Sequence, residues 1–90
     1  MKRLVRRKKF DKDHKKYVRH SPKIQNVLKA VVTMLVNDDE LPPKYRDHIL
    51  IGNWAGHREC HIRPDVLLIY RNDENALELV RLGSHAELFD

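Results

Sequence analysis

Val66-Leu67-Leu68-Ile69-Tyr70 is an unbroken run of apolar, β-prone side chains, the mark of a strand covered on both sides. Just before it, Arg63-Pro64-Asp65 is turn chemistry: proline fixes φ, and aspartate bonds nearby backbone. Further back, His57 to Arg63 alternates, which places His57, Glu59, His61 and Arg63 on one face of a second strand and Arg58, Cys60 and Ile62 on the other. One face of an interior strand therefore carries titratable groups. A stable sheet has no need of them, whereas a reactive site does.

The other elements follow from periodicity. Leu4 and Val5 among basic residues predict a short strand near a sheet edge, where Lys and Arg discourage stray pairing. Phe10, Tyr17 and Val18 fall at i, i+7 and i+8, a narrow helical stripe over Lys9 to Arg19. Ser21 then Pro22 is a cap followed by a first-turn proline. Ile24, Val27, Leu28, Val31, Met34 and Leu35 share one face of a helix running from about Pro22 to Val36, fading into Asn37-Asp38-Asp39. Pro42-Pro43 opens a connecting stretch from Lys44 to Leu50, and Gly52 to Gly56 is turn-rich, with Trp54 as a packed anchor. After the Val66 strand, Asn72-Asp73-Glu74-Asn75 is a hairpin loop. The last strand, Ala76 to Leu82, sets Leu77, Leu79 and Arg81 on one face and Val80 and Leu82 on the other. Gly83 ends it, and Ser84 caps a short helical turn from His85 to Phe89. The expected fold is α+β: a small, twisted, antiparallel-rich sheet with a two-helix hairpin on one face, a short C-terminal helical turn, and an open opposite face.

Ninety residues suit a single domain over positions 1–90. A formal charge of +5 favours a polyanionic partner: nucleic acid, the ribosome, an acidic protein or an anionic membrane. With one cysteine no internal disulfide forms, in keeping with a reducing compartment. The opening Met1-Lys2-Arg3-Leu4-Val5-Arg6-Arg7 is not followed by the apolar region of a signal peptide. No apolar stretch is long enough to span a bilayer. Cytoplasm is the expected location, with no membrane partner.

The residues placed near the open face are His61, Asp65, Arg81, His85 and, from the connecting stretch, His48. Arg81 interrupts an apolar strand, and a charge there must be paired or turned toward a site. Together they offer acids and bases that titrate near neutrality, plus a fixed cation, on a basic domain. Such a set suits metal-free RNA cleavage. The 2′-hydroxyl attacks the adjacent phosphate, one group removes its proton, another protonates the departing 5′-oxygen, and a cation stabilises the phosphorane. The 2′-hydroxyl confines this chemistry to RNA. A zinc site using His57, Cys60 and His61 is the rival, but strand residues four apart stand roughly 13 Å from each other and adjacent ones face opposite ways. No metal and no other cofactor is expected. There is no nucleophile elbow and no glycine-rich phosphate loop.

Tyr45-Arg46-Asp47-His48-Ile49-Leu50, Gly52-Asn53-Trp54, Arg58 to Asp65, Leu68-Ile69-Tyr70 and Arg81 to Phe89 resemble the YafQ-type toxins of the RelE/ParE superfamily over nearly the whole chain. The resemblance implies a bacterial type II toxin that cuts messenger RNA in the ribosomal A site and is neutralised by a cognate antitoxin. Operator DNA would be met only through the antitoxin complex. Carried over by motif, the acid–base groups are His48, His61, Asp65 and His85, the phosphate-contacting arginine is Arg81, and the terminal aromatic against the RNA is Phe89. One departure is Val66, where the best-known member has a tryptophan. The charge pattern adds Lys8, Lys9, Lys12 and Lys15, with Arg6, Arg7 and Lys16, as RNA-facing residues.

Two other functions compete. A toxin of the same fold that acts only by binding, as the gyrase-directed branch does, has no use for convergent acid–base groups. A generic basic RNA-binding module would show aromatic stacking platforms, and six aromatic residues spread along the chain match that poorly.

Overall fold

The Val66 run becomes the middle strand of a five-stranded sheet. The computed structural model describes residues 2–89. Its elements are β1 (Arg3–Arg6), α1 (Lys8–Val18), α2 (Pro22–Val36), β2 (His48–Ile49), β3 (Arg58–Arg63), β4 (Val66–Asn72), β5 (Ala76–Gly83) and α3 (His85–Phe89). The strand order is β1-β5-β4-β3-β2. β1 lies at an edge, parallel to β5, and the remaining pairs are antiparallel.

Helices α1 and α2 cover one face. Ser21 accepts a hydrogen bond from the Ile24 N–H at 3.3 Å and caps α2, with Pro22 in the first turn. Leu28, Val31 and Leu35 of α2 and Phe10 of α1 pack with Cys60, Ile62, Leu68, Tyr70, Leu77, Leu79 and Leu82 of the sheet. This face is the main core. Val66 belongs to it as well.

Three expectations need correction. The second face is not left open: Leu67 and Ile69 of β4 pack there with Leu88 of α3, beside Leu50, Trp54, Val80 and Phe89. A strand apolar on both sides requires that second cover. Next, the stretch holding His48 is not merely connecting. His48 and Ile49 pair with Glu59 and Arg58 and add an edge strand. Finally, β5 does not alternate throughout. Tyr70 pairs with Leu79 and Ile69 with Arg81, so Val80 is the extra residue of a β-bulge. The bulge keeps Leu77, Leu79 and Leu82 together on the helix face and moves Arg81 to the level of Ile69 on the other. Arg81 therefore does not share a face with Leu77 and Leu79.

The β4–β5 hairpin is closed by Asp73, whose Oδ1 accepts from the N–H groups of Asn75 (2.8 Å) and Ala76 (2.7 Å). These bonds hold its carboxyl below the usual carboxylate range. Beside the core, the Tyr70 hydroxyl donates to Asp47, and the Arg58 Nη2 donates to the same carboxylate at 3.1 Å. Burial first, then the bond to Asp47, pushes the Tyr70 phenol far up. Asp47 immediately precedes His48, so this network pins β2 to the sheet. Tyr70→Phe should lower the unfolding free energy by about 1–2 kcal/mol, since it removes one donor from a carboxylate. Denaturant melts measure this, and an unchanged midpoint would mean the hydroxyl bond contributes nothing.

Candidate active site

Strand pairing sets out two rows of residues on the second face. His48, Glu59, Ile69 and Arg81 form one row across β2, β3, β4 and β5. His61, Leu67 and Gly83 form the next. With strands about 4.8 Å apart, the backbones at His48 and Arg81 are separated by about 14 Å.

At one end of the first row lies a shared carboxylate. Glu59 is 6% exposed. Its Oε1 faces His48 Nε2 at 3.1 Å and His61 Nε2 at 3.8 Å. Its Oε2 is buried with no hydrogen-bond partner among the described residues. Each imidazole also meets a backbone carbonyl through Nδ1: His48 at Arg46 O (2.8 Å) and His61 at Pro64 O (3.3 Å). A carbonyl only accepts, so Nδ1 carries a hydrogen in both rings. Nε2 is then the nitrogen that gains or loses a proton, and in both rings it points toward Glu59. Arg46 reaches its position in the left-handed region, at φ 49°. That conformation costs a non-glycine residue about 1–3 kcal/mol; here it turns the Arg46 carbonyl onto His48.

Arg81, at the other end of the row, is paired. Its Nε donates to Asp13 Oδ2 at 2.8 Å and its Nη2 to Asp13 Oδ1 at 3.3 Å. The same Oδ2 accepts the Leu82 N–H at 2.9 Å. The Asp13 bond raises the guanidinium pKa further above its already high value. Two of the five N–H donors are used, and Nη1 makes no hydrogen bond among the described residues.

His85 opens α3. Ser84 Oγ accepts the Glu87 N–H (3.2 Å) and Glu87 Oε1 accepts the Ser84 N–H (3.0 Å), a reciprocal capping box. Glu87 also accepts from Lys16 at 2.5 Å and from the Tyr17 hydroxyl, both on α1. The Lys16 bond first, then the Ser84 N–H, holds its carboxyl below the usual range. The His85 ring lies 4.9 Å from that of Phe89, which lies edge-on to Trp54 at 6.3 Å.

Of the predicted residues, His48 and His61 are thus joined through Glu59. Arg81 is on the same face, held by Asp13, and His85 and Phe89 ride the helix that packs there. Asp65 is exposed in the β3–β4 turn, and no hydrogen bond ties it to the others among the described residues. Lys8, Lys9, Lys12 and Lys15 are exposed on α1. Cys60 is fully buried on the opposite face, and burial drives its thiol pKa far up. Sequence reasoning gave no role to Glu59, although alternation put it beside His61. It missed Asp13, which has no local signal, and Glu87, which the Ser84-to-Glu87 spacing would have revealed.

A mixed sheet with a helix pair behind it and this array in front defines the class: a small RelE-like α+β toxin fold. The chain belongs to the YafQ family, described as the bacterial toxin of a type II toxin–antitoxin system, whose profile matches residues 2–90. It is 44% identical over 68 residues to the mRNA interferase toxin YafQ of Escherichia coli K12, covering 74% of each chain. A copper-bound mutant toxin from Helicobacter pylori superposes with a TM-score of 0.91 at 42% identity, over 99% of this chain and 100% of that one. A chain from the E. coli DinJ–YafQ complex superposes at 0.88 with 37% identity, over 100% of both.

Burying a carboxylate with one oxygen unpartnered is costly. Glu59→Leu should therefore hold the unfolding free energy level or raise it by up to about 2 kcal/mol. A fall of more than about 1 kcal/mol in denaturant melts would make Glu59 a structural group.

Proposed function

We propose that this chain is the toxin of a type II module and acts as an endoribonuclease, cutting messenger RNA in the A site of the small ribosomal subunit. The observation that carries the reading is the buried Glu59 carboxylate shared by His48 and His61, on the sheet face that also holds Arg81 and His85. The family profile and the E. coli relative named as an mRNA interferase support it.

In the reaction, the ribose 2′-oxygen attacks the neighbouring phosphorus as its proton passes to an imidazole Nε2. The bond to the 5′-oxygen breaks, and that oxygen takes a proton from a second acid. A cyclic phosphate and a free 5′-hydroxyl result. His48, His61, His85 and Asp65 share the proton transfers. Imidazole suits them because its reference pKa of about 6.5 lies near working pH. Glu59 orients two of the rings and balances the positive charge they acquire. The free edge of Arg81 meets the phosphate oxygens, and Phe89 lies against a base. Lys8, Lys9, Lys12 and Lys15 meet ribosomal RNA phosphates. No step passes through a metal.

The E. coli relative in the DinJ–YafQ complex is bound to its antitoxin, and by that likeness this toxin has a cognate antitoxin. Operator DNA is reached only through that complex. Among the described residues no helix is long and apolar enough to cross a membrane, and the reaction places the protein in the cytoplasm with the ribosome.

The test is a translating extract programmed with one message, with cleavage mapped by primer extension. The parent protein should cut within codons, and only when ribosomes are present. His85→Ala and Glu59→Leu should each slow cutting by on the order of 10²-fold or more while the fold is kept. Equal cutting of naked and ribosome-bound message would refute ribosome dependence. Undiminished cutting by His85→Ala would remove that ring from the mechanism. A chelator should leave the rate unchanged, and a loss restored by copper or zinc would bring a metal into the reaction.

A further inference from the structure

A cavity of about 390 Å3 is not used by the chemistry above. It opens at one end of the sheet, between α2, the helical turn Pro43–Tyr45 and the last residues of β3. His61 forms part of its wall, so the cavity adjoins the imidazole pair. Lys44, Tyr45, Arg46 and Arg63 also line it, with buried Ile62 in its apolar surface.

Three features give it a ligand preference. The first is charge. Arg6, Arg7, Arg58, Arg71 and Arg81 each pair with a carboxylate. Lys44, Arg46 and Arg63 are exposed and make no ion pair among the described residues. Three uncompensated cations around one concavity set up a positive potential that holds an anion. The second is the Tyr45 ring. It is half-buried and packed against the main core, which makes it a fixed wall, with Lys44 Nζ 5.1 Å from its centroid. The third is linkage. Arg46 lines the cavity and its carbonyl bonds His48, so whatever orders Arg46 also bears on a ring of the proposed site.

An aromatic wall, an apolar surface and cations at the rim match a nucleotide, whose base has a π-face and whose phosphate is anionic. An acidic peptide would use the cations and leave the flat wall idle. The volume is near the lower end of small-ligand sites, which span about 300–1,000 Å3. It therefore suits one nucleotide rather than a length of strand.

We propose that this cavity seats a single nucleotide of single-stranded RNA beside the phosphate presented to His61, with Tyr45, Arg46 and Arg63 setting which sequences are cut. The proposal rests on the nuclease reading and adds its substrate subsite.

The probe is a short oligoribonucleotide with 2′-deoxyribose at the cleaved position, which binds without being cut. Its affinity is read by fluorescence anisotropy across a salt series. Lys44→Gln and Arg63→Gln alter exposed side chains and should keep the fold. Each should weaken binding about three- to tenfold and reduce the slope of log affinity on log salt by about 0.7, the value for one lost phosphate contact on a single strand. Tyr45→Leu should weaken binding about tenfold through lost stacking. In the translating extract it should shift the distribution of cut codons. The proposal is overturned if the charge variants bind with unchanged affinity and salt slope, or if they lose antitoxin binding while oligonucleotide binding stays intact. The nuclease reading has its own readout. A parent protein that never cuts, with binding still dependent on Lys44 and Arg63, ends that reading and leaves the subsite. A parent that cuts, with variants that bind and cut as it does, ends the subsite and leaves the nuclease.

Discussion

The structure depends on one strand that is apolar on both sides. β4 buries Val66, Leu68 and Tyr70 under α1 and α2, and Leu67 and Ile69 under α3. At about 25 cal/mol per Å2, each of these side chains contributes about 1.5–3 kcal/mol when fully covered. The chain must therefore cover two faces with ninety residues. Two helices make a full layer on one side. Among the described residues, only the five of α3 and the loop carrying Trp54 serve the other. That imbalance is what permits a site, because the thin cover protects Leu67 and Ile69 and leaves the β2–β3 end of the same face for Glu59, His48 and His61.

Placing a carboxylate there works against stability. Glu59 lies next to Ile69 across the sheet, and one of its oxygens is buried with no hydrogen-bond partner among the described residues. Among apolar neighbours the electrostatic attraction between the carboxylate and an imidazolium is stronger than in water. The same burial makes every unfilled acceptor expensive. Two carbonyls, of Arg46 and Pro64, hold the rings from behind. Each histidine is thus clamped between an acceptor that fixes its tautomer and a carboxylate that responds to its charge. In the proposed cleavage, such preorganisation carries the reorganisation cost in the folded state instead of at the moment of reaction.

Legibility in the sequence varied with the range of the determining contact. α2 occupies Pro22–Val36, as its apolar period and its Ser21-Pro22 start required. β4 was legible because no other element places five apolar, β-prone residues between turn signals. His48 was legible as a candidate, but its strand was not, since two residues are too few to carry a period. Arg81 was marked as a charge that had to be paired or turned toward a site, and Asp13 pairs it. Its face was misassigned because a bulge inserts one residue and reverses alternation beyond it, and no residue type at Val80 announces that. Its partner Asp13 lies 68 positions away on α1. Only the docked fold brings them together. Glu59 had a local signal, shared with His61, and lacked only the knowledge that β2 would bring His48 opposite.

Helix α1 links these parts. It packs Phe10 into the main core, yet its polar side reaches round the sheet to the second face. Asp13 holds the Arg81 guanidinium and caps the free Leu82 N–H of β5, a backbone donor that β1 is too short to satisfy. Lys16 and Tyr17, about one turn on, hold Glu87 and through it the α3 helix that carries His85 and Phe89. Three and four residues along a helix is the spacing that keeps side chains on one face. Asp13, Lys16 and Tyr17 therefore act as one strip, fixing the cation and the last imidazole relative to each other. The imidazole pair is fixed separately, His48 through Asp47 and β2 and His61 on β3 by the Pro64 carbonyl. The site is thus assembled from two independently anchored halves, one tied to α1 and one to the sheet edge, with Ile69 between them. Their spacing is set by strand pairing, at about 4.8 Å per strand.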